Sequence, residues 1–103
     1  MKTNLPVTQT EVPFPKGHYI VSRTNLKGII TYVNETFVKI SGFTREELIE
    51  KNHNMVRHPD MPPGAYAWLW DTVMAGRPWR GIVKNRCKNG DFYWVVALVV
   101  PVF

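Results

Sequence analysis

A chain of 103 residues, 45% of them hydrophobic and 20% charged, can build one modest core but not two, and it excludes a disordered segment. Thirteen Lys and Arg against eight Asp and Glu leave a formal charge of +5, compatible with an anionic partner. The cations are scattered, however, which reads as a solvated basic surface rather than a nucleic-acid interface. The single cysteine, Cys87, excludes an intrachain disulfide and a cysteine-rich zinc site, and it fits a reducing compartment. The opening MKTNLPVTQTEVPFPKG lacks the apolar stretch of a signal peptide. The longest apolar run, YWVVALVVPVF, is too short for a membrane-spanning helix and contains Pro101. A cytoplasmic domain is expected, with any tether to the inner face of a membrane lying elsewhere.

Residues 1–17 carry Pro6, Pro13 and Pro15 without a clear period. They are expected to form a flexible or loosely docked N-terminal arm ahead of a folded unit over 18–103. HYIVSRT and IITYV read as two short strands around the turn-prone NLKG, hence a hairpin. Asn34 is a good N-cap for a helix over ETFVKIS, which Gly42 ends. Thr44 and Glu47 form a capping box that opens a second helix over REELIEK. Pro62 and Pro63 can start a third, in which Ala65, Trp68, Leu69, Thr72 and Val73 follow helical spacing and Gly76 is a natural stop. WRGIVKNRC and DFYWVVALVV then read as strands joined through Asn89-Gly90, a hairpin signal. The order predicts an α+β domain.

Period-two alternation in the strand after Gly76 places Trp79, Gly81, Val83, Asn85 and Cys87 on one face. Arg80, Ile82, Lys84 and Arg86 fall on the other, which is therefore solvated. An inward Asn85 needs a partner, because an unpaired buried amide costs about 1–3 kcal/mol. That partner is either a structural hydrogen bond or a bound polar ligand. The stretch HNMVRHPDMP, residues 53–62, concentrates polar groups just before the third helix. Two histidines five apart, with Asp60 the one near carboxylate, do not have the spacing of a metal site. No activated nucleophile, carboxylate pair or glycine-rich phosphate loop points to an enzyme.

The span from YVNETFVKISGFTREELIEKN to GDFYWV resembles a PAS sensor domain. HNMVRHPDMP, GRPW and GIVKNRCKNGDFYWV are similar, more narrowly, to the FAD-binding PAS domains of bacterial aerotaxis receptors. The resemblance implies a five-stranded antiparallel sheet with short helices on one face, and a cleft holding FAD without a covalent link. It implies that Arg57, His58 and Asp60 help to hold the cofactor. Arg57 suits a fork donor to carbonyl or phosphate oxygens. Asp60 would accept from a ribose hydroxyl or cap the next helix, and His58 would bond the ligand or brace the loop. Asn85 would bond the polar edge of the flavin, with Trp79 beside its ring and Trp70 toward the adenine end. His53 and Asn54 would belong to the same cleft wall. His53 stands where light-oxygen-voltage photoreceptors carry their reactive cysteine, so a thiol adduct is not available, and Cys87 lies too far along its strand to replace it.

The implied function is redox or oxygen sensing, relayed to signalling domains of a chemoreceptor in the same longer chain, with self-association expected. Two alternatives stand beside it: a haem-binding gas sensor using His53 or His58 as axial ligand, and a ligand-free interaction module. The family's last strand is missing from this sequence. It would lie between HYIVSRT and DFYWVVALVV, so a central gap with unpaired backbone groups is expected. The chain would then be a fragment, or the gap would be filled by a neighbour or by the arm.

Overall fold

The structure, a computed structural model, describes residues 7–102. The elements follow the expected order: β1 (Ile20–Thr24), β2 (Ile30–Val33), α1 (Glu35–Ser41), α2 (Arg45–Leu48), a 3-10 turn (His53–Val56), α3 (Pro63–Met74), β3 (Trp79–Arg86) and β4 (Phe92–Pro101). Local chemistry explains most of the boundaries. Asn34 Oδ1 accepts from the Phe37 N–H at 3.2 Å to cap α1, and Gly42 ends it in the left-handed region at φ 75°. The Thr44–Glu47 capping box forms as predicted. α2 is nonetheless shorter than expected, because Ile49 turns extended and Glu50 adopts φ 69°. That kink swings residues 50–53 against β2, where the Ile30 N–H donates to the Lys51 carbonyl at 2.8 Å and the His53 N–H to the Gly28 carbonyl at 2.9 Å. His53 is placed by this pairing.

Both hairpins close through a type I turn followed by a left-handed glycine. In the second, the Gly90 N–H donates to the Cys87 carbonyl at 3.0 Å and the Cys87 N–H to the Asp91 carbonyl at 2.7 Å. The sheet order is β2-β1-β4-β3. β1 pairs with β2, and β3 with β4, in antiparallel fashion. β1 and β4, in contrast, pair directly and in parallel, from Ile20↔Ala97 to Thr24↔Pro101.

The expected central gap is therefore not there, and the sheet is mixed rather than antiparallel throughout. Two strands that would each run antiparallel to an intervening strand are parallel to one another. Their unpaired N–H and C=O groups are satisfied once they close up. The open gap was the reason for expecting self-association, and that reason goes with it.

The arm supplies the rest of this edge of β4. The Val12 N–H donates to the Phe92 carbonyl at 2.7 Å and the Phe92 N–H to the Thr10 carbonyl at 3.1 Å, while Phe14 stacks on Tyr93 with ring centroids 6.2 Å apart. The described part of the arm is thus docked; residues 1–6 of it lie outside the described residues. The helices cover one face of the sheet, and Phe37, Leu48, Val56, Leu69 and Val73 meet Tyr93, Val95 and Val99 in the core between them. The other face leaves Tyr19, Ile82 and Trp94 exposed.

Candidate functional site

Where α3 and the 53–62 loop cross the inner face of β3 and β4, they enclose a small void. Its walls are mostly apolar (Val56, Met61, Leu69, Val83, Ala97 and Val99), His53, Arg57 and Asn85 supply polar groups, and Tyr66 and Lys84 also border it. Of the residues expected at a cofactor, His53, Arg57 and Asn85 are brought together. The void offers about 10 Å³ to a water-sized sphere, room for about one water. A wider planar ligand enters only if α3 or the loop moves outward.

Each polar group is held by the fold. Burial pushes the pKa of His53 down to about 4, so the ring is neutral at physiological pH. Its Nε2 lies 2.9 Å from Ser22 Oγ, and its ring meets Phe37 and Trp70 edge-on. Arg57 bridges to Asn85 through the backbone, its Nη2 donates to the Met61 carbonyl at 3.3 Å, and its guanidinium lies 4.4 Å over the Tyr66 ring. Asn85 is buried, as alternation predicts, and its Nδ2 donates to the Tyr93 hydroxyl at 3.3 Å. The inward amide thus has a side-chain partner, and burial holds the Tyr93 phenol well above its ordinary range.

The remaining expected residues stand back from the void. His58 is buried behind the loop, where its Nδ1 accepts from the Asp60 N–H at 3.1 Å. The neutral ring then carries its proton on Nε2, a buried atom without a partner. Burial, and after it the nearby Lys84, hold His58 below its usual pKa against the opposing pull of Asp60. Asp60 does not cap α3: the helix begins at Pro63 after Pro62, with no side-chain cap, and the Asp60 carboxylate faces solvent 3.4 Å from Lys84 Nζ. Trp79 folds back over Gly81 beneath Trp68, buried and with its indole N–H unpartnered. Trp70 and Asn54 line a second, open groove of about 210 Å³ with Lys27, Gly28 and Asn52. Tyr66 borders both spaces and so joins them.

Sequence reading missed Ser22, Tyr66, Lys84 and Tyr93. The clue for Ser22 is two small hydroxyl residues, Ser22 and Thr24, on the buried face of β1, where apolar side chains are usual. No pattern in the chain marks Tyr66. The lining fits the chemistry of a flavin: apolar walls, with the Arg57 guanidinium and the Asn85 amide as donors. The volume fits only after opening.

A family model described as the PAS fold matches residues 30–103. The aerotaxis receptor of Escherichia coli (strain K12) is 52% identical over 101 residues, covering 98% of this chain and 20% of the receptor. The nitrogen fixation regulatory protein of Klebsiella pneumoniae is 29% identical over 82 residues, covering 80% of this chain and 17% of that protein. The chain thus spans about a fifth of the length of these curated relatives. Among solved structures, the LOV domain from the Erythrobacter litoralis EL346 blue-light activated histidine kinase superposes with a TM-score of 0.61 at 20% identity, over 66% of this chain and 62% of that one. The light-state Aureochrome1 LOV structure gives 0.61 at 17% identity, over 74% and 59%. Such identities speak for the fold alone. The match of the family model over most of the chain, on a four-stranded sheet with helices across one face, shows that this chain belongs to the PAS-fold family.

Proposed function

We propose that this domain is a redox sensor that binds FAD non-covalently and passes the cofactor's oxidation state to signalling domains of a chemotaxis-type receptor. The observation that carries the reading is the convergence of His53, Arg57 and Asn85 on a mostly apolar space between sheet and helix. A flavin supplies reversible electron uptake when bound. The chain's own contribution is to orient and sense. Arg57 donates to an electron-rich edge, Asn85 reads the polar rim of the ring and shares the Tyr93 hydroxyl, and neutral His53 offers a hydrogen bond without a charge. The adjoining groove of Lys27, Asn52, Asn54 and Trp70 suits the phosphates and adenine of a dinucleotide, which favours FAD over a mononucleotide. Similarity to the aerotaxis receptor supports the receptor setting. The proposal includes a cytoplasmic location near the membrane and an output partner elsewhere in a longer chain. No helix among the described residues is long and apolar enough to cross a membrane.

The small void favours a second reading, a ligand-free interaction module. Haem is supported less well. His53 Nε2 is engaged with Ser22 and His58 Nδ1 with Asp60, so each would first have to give up a bond. Absorbance of the purified protein with and without dithionite separates the three. Under the flavin reading, Arg57→Ala loses the cofactor while still unfolding cooperatively. A charge-assisted hydrogen bond contributes about 1.5–3 kcal/mol, hence roughly 10- to 150-fold in affinity. Full flavin occupancy in a folded Arg57→Ala protein would falsify the assignment.

A further inference from the structure

We propose that Lys84 is a positioning residue for the 57–61 loop, and that Asp60 acts on the cleft through Lys84 rather than by touching a ligand. Lys84 leaves β3 on the outer side of the sheet, yet its side chain is only 15% exposed. Its ammonium lies 4.4 Å over the ring of Phe92 and 5.9 Å from that of Trp94. The carboxylate paired with it is Asp60, at 3.4 Å, 72% exposed and outside the void. On the strand, the next residue is Asn85, which points inward and bridges to Arg57. The loop grips β3 at two points. Arg57 pairs with the strand edge through the backbone at Asn85, and Asp60 holds the outer side through Lys84. Lys84 faces away from Asn85 because neighbouring strand residues face opposite sides of a sheet. His58 completes the clamp, accepting the Asp60 N–H and setting its ring edge-on to Phe92.

An exposed ion pair alone contributes little. Here the cation is largely buried on an aromatic face, where the interaction is stronger and an unmatched charge is more costly. Lifting the loop from β3 breaks that contact. The wall made by Arg57 and Met61 is thereby tied to Phe92 and Trp94 on the outer face, the side on which a partner would sense it.

This inference rests on the flavin reading only for its occupancy measurements. Flavin occupancy is compared at one fixed flavin concentration in wild type, Lys84→Met, Lys84→Arg, Asp60→Asn and the double variant Lys84→Met/Asp60→Asn. Methionine keeps the apolar stem over Phe92 and removes the charge. Each single neutral variant is expected to lower occupancy roughly three- to ten-fold. The double variant should be no worse than either single, because the two residues act as one contact, and Lys84→Arg should retain the cofactor. If Lys84→Met keeps its flavin while Asp60→Asn loses it, or if the two losses multiply, Asp60 acts directly and the proposal is overturned.

Two readouts need no flavin and stand even if wild type binds none. The charged groups acting on His58 are Lys84, Asp60 and Arg86. By nuclear magnetic resonance, Lys84→Met should raise its pKa and Asp60→Asn should lower it, shifts that a purely packing role for these residues would not produce. Amide exchange across 57–61 should quicken in both variants. Unchanged exchange together with an unmoved His58 titration would also overturn it.

Discussion

Acidification tests whether His53 is buried as a neutral ring. In the unfolded chain its pKa is the ordinary 6.5, and in the fold burial lowers it to about 4. Between those values the unfolded state holds more protons than the native one, so stability falls as pH falls through this window. A single group with this shift contributes about 2 kcal/mol of loss between pH 8 and pH 5, and about 3 kcal/mol once pH is below both values. His58, also held low, adds in the same direction. Glu47 is the one carboxylate among the described residues with a resolved shift, and it is depressed below its ordinary 4.5, so its contribution is lost only at lower pH. The pH 5–7 window therefore reports the histidines. Urea denaturation at half-unit steps gives the curve, and His53→Leu, of similar size but unable to titrate, should flatten it while losing the Ser22 bond. If wild-type stability is level from pH 7 to pH 5, or if His53→Leu keeps the full slope, His53 is not a buried neutral group.

Gly81→Ala is expected to destabilise the fold by about 1–3 kcal/mol, since a Cβ there would sit 2.5 Å from two ring carbons of Trp79. Thermal melting measures the loss, and Trp79 fluorescence should shift as the ring is pushed aside. Asn85→Ser shortens the donor that reaches Tyr93, leaving a buried hydroxyl short of a partner at a cost of about 1–3 kcal/mol. Flavin binding should survive while the reduction potential and β3 amide exchange change; a variant matching wild type in both would remove Asn85 from signalling.

What was legible in the sequence is what adjacent residues decide. Asn34, the Thr44–Glu47 box and Gly42 act within a few residues of themselves, and each forms as read. Gly28 and Gly90 close their hairpins for the same reason. Alternation also put Asn85 inside and Lys84 outside. Pairing across distance was not legible. Nothing local in Ile20–Thr24 says that it lies against Ala97–Pro101, since a strand carries the same alternation whichever neighbour it finds. Ser22 meets His53 only because Glu50 takes a left-handed turn that lays residues 50–53 beside β2. Trp79, Asp60 and His58, which the family pattern grouped with the cleft, are not among the residues that line the void.

The supports of the void are unequal, which locates where a ligand would enter. β3 and β4 share a ladder of eight pairs, and β4 is buried on every second residue. α3, twelve residues long, fully buries only Leu69 and Val73, and its first turn has no side-chain cap. Burying two such side chains contributes about 3–6 kcal/mol, less than breaking the sheet would require. The void lies beneath this helix, with Leu69 and Tyr66 in its roof. The helix ends at Met74, and two residues on, Gly76, with a φ of 83°, gives a glycine pivot. Opening should therefore proceed by lifting α3, a low-stability unit, while the sheet stays closed. Native-state hydrogen exchange is expected to show α3 amides exchanging through a smaller opening than those of β4, and flavin should protect α3 preferentially. If α3 and β4 exchange only with global unfolding, entry does not occur under the helix, and the 57–61 loop must be the part that moves.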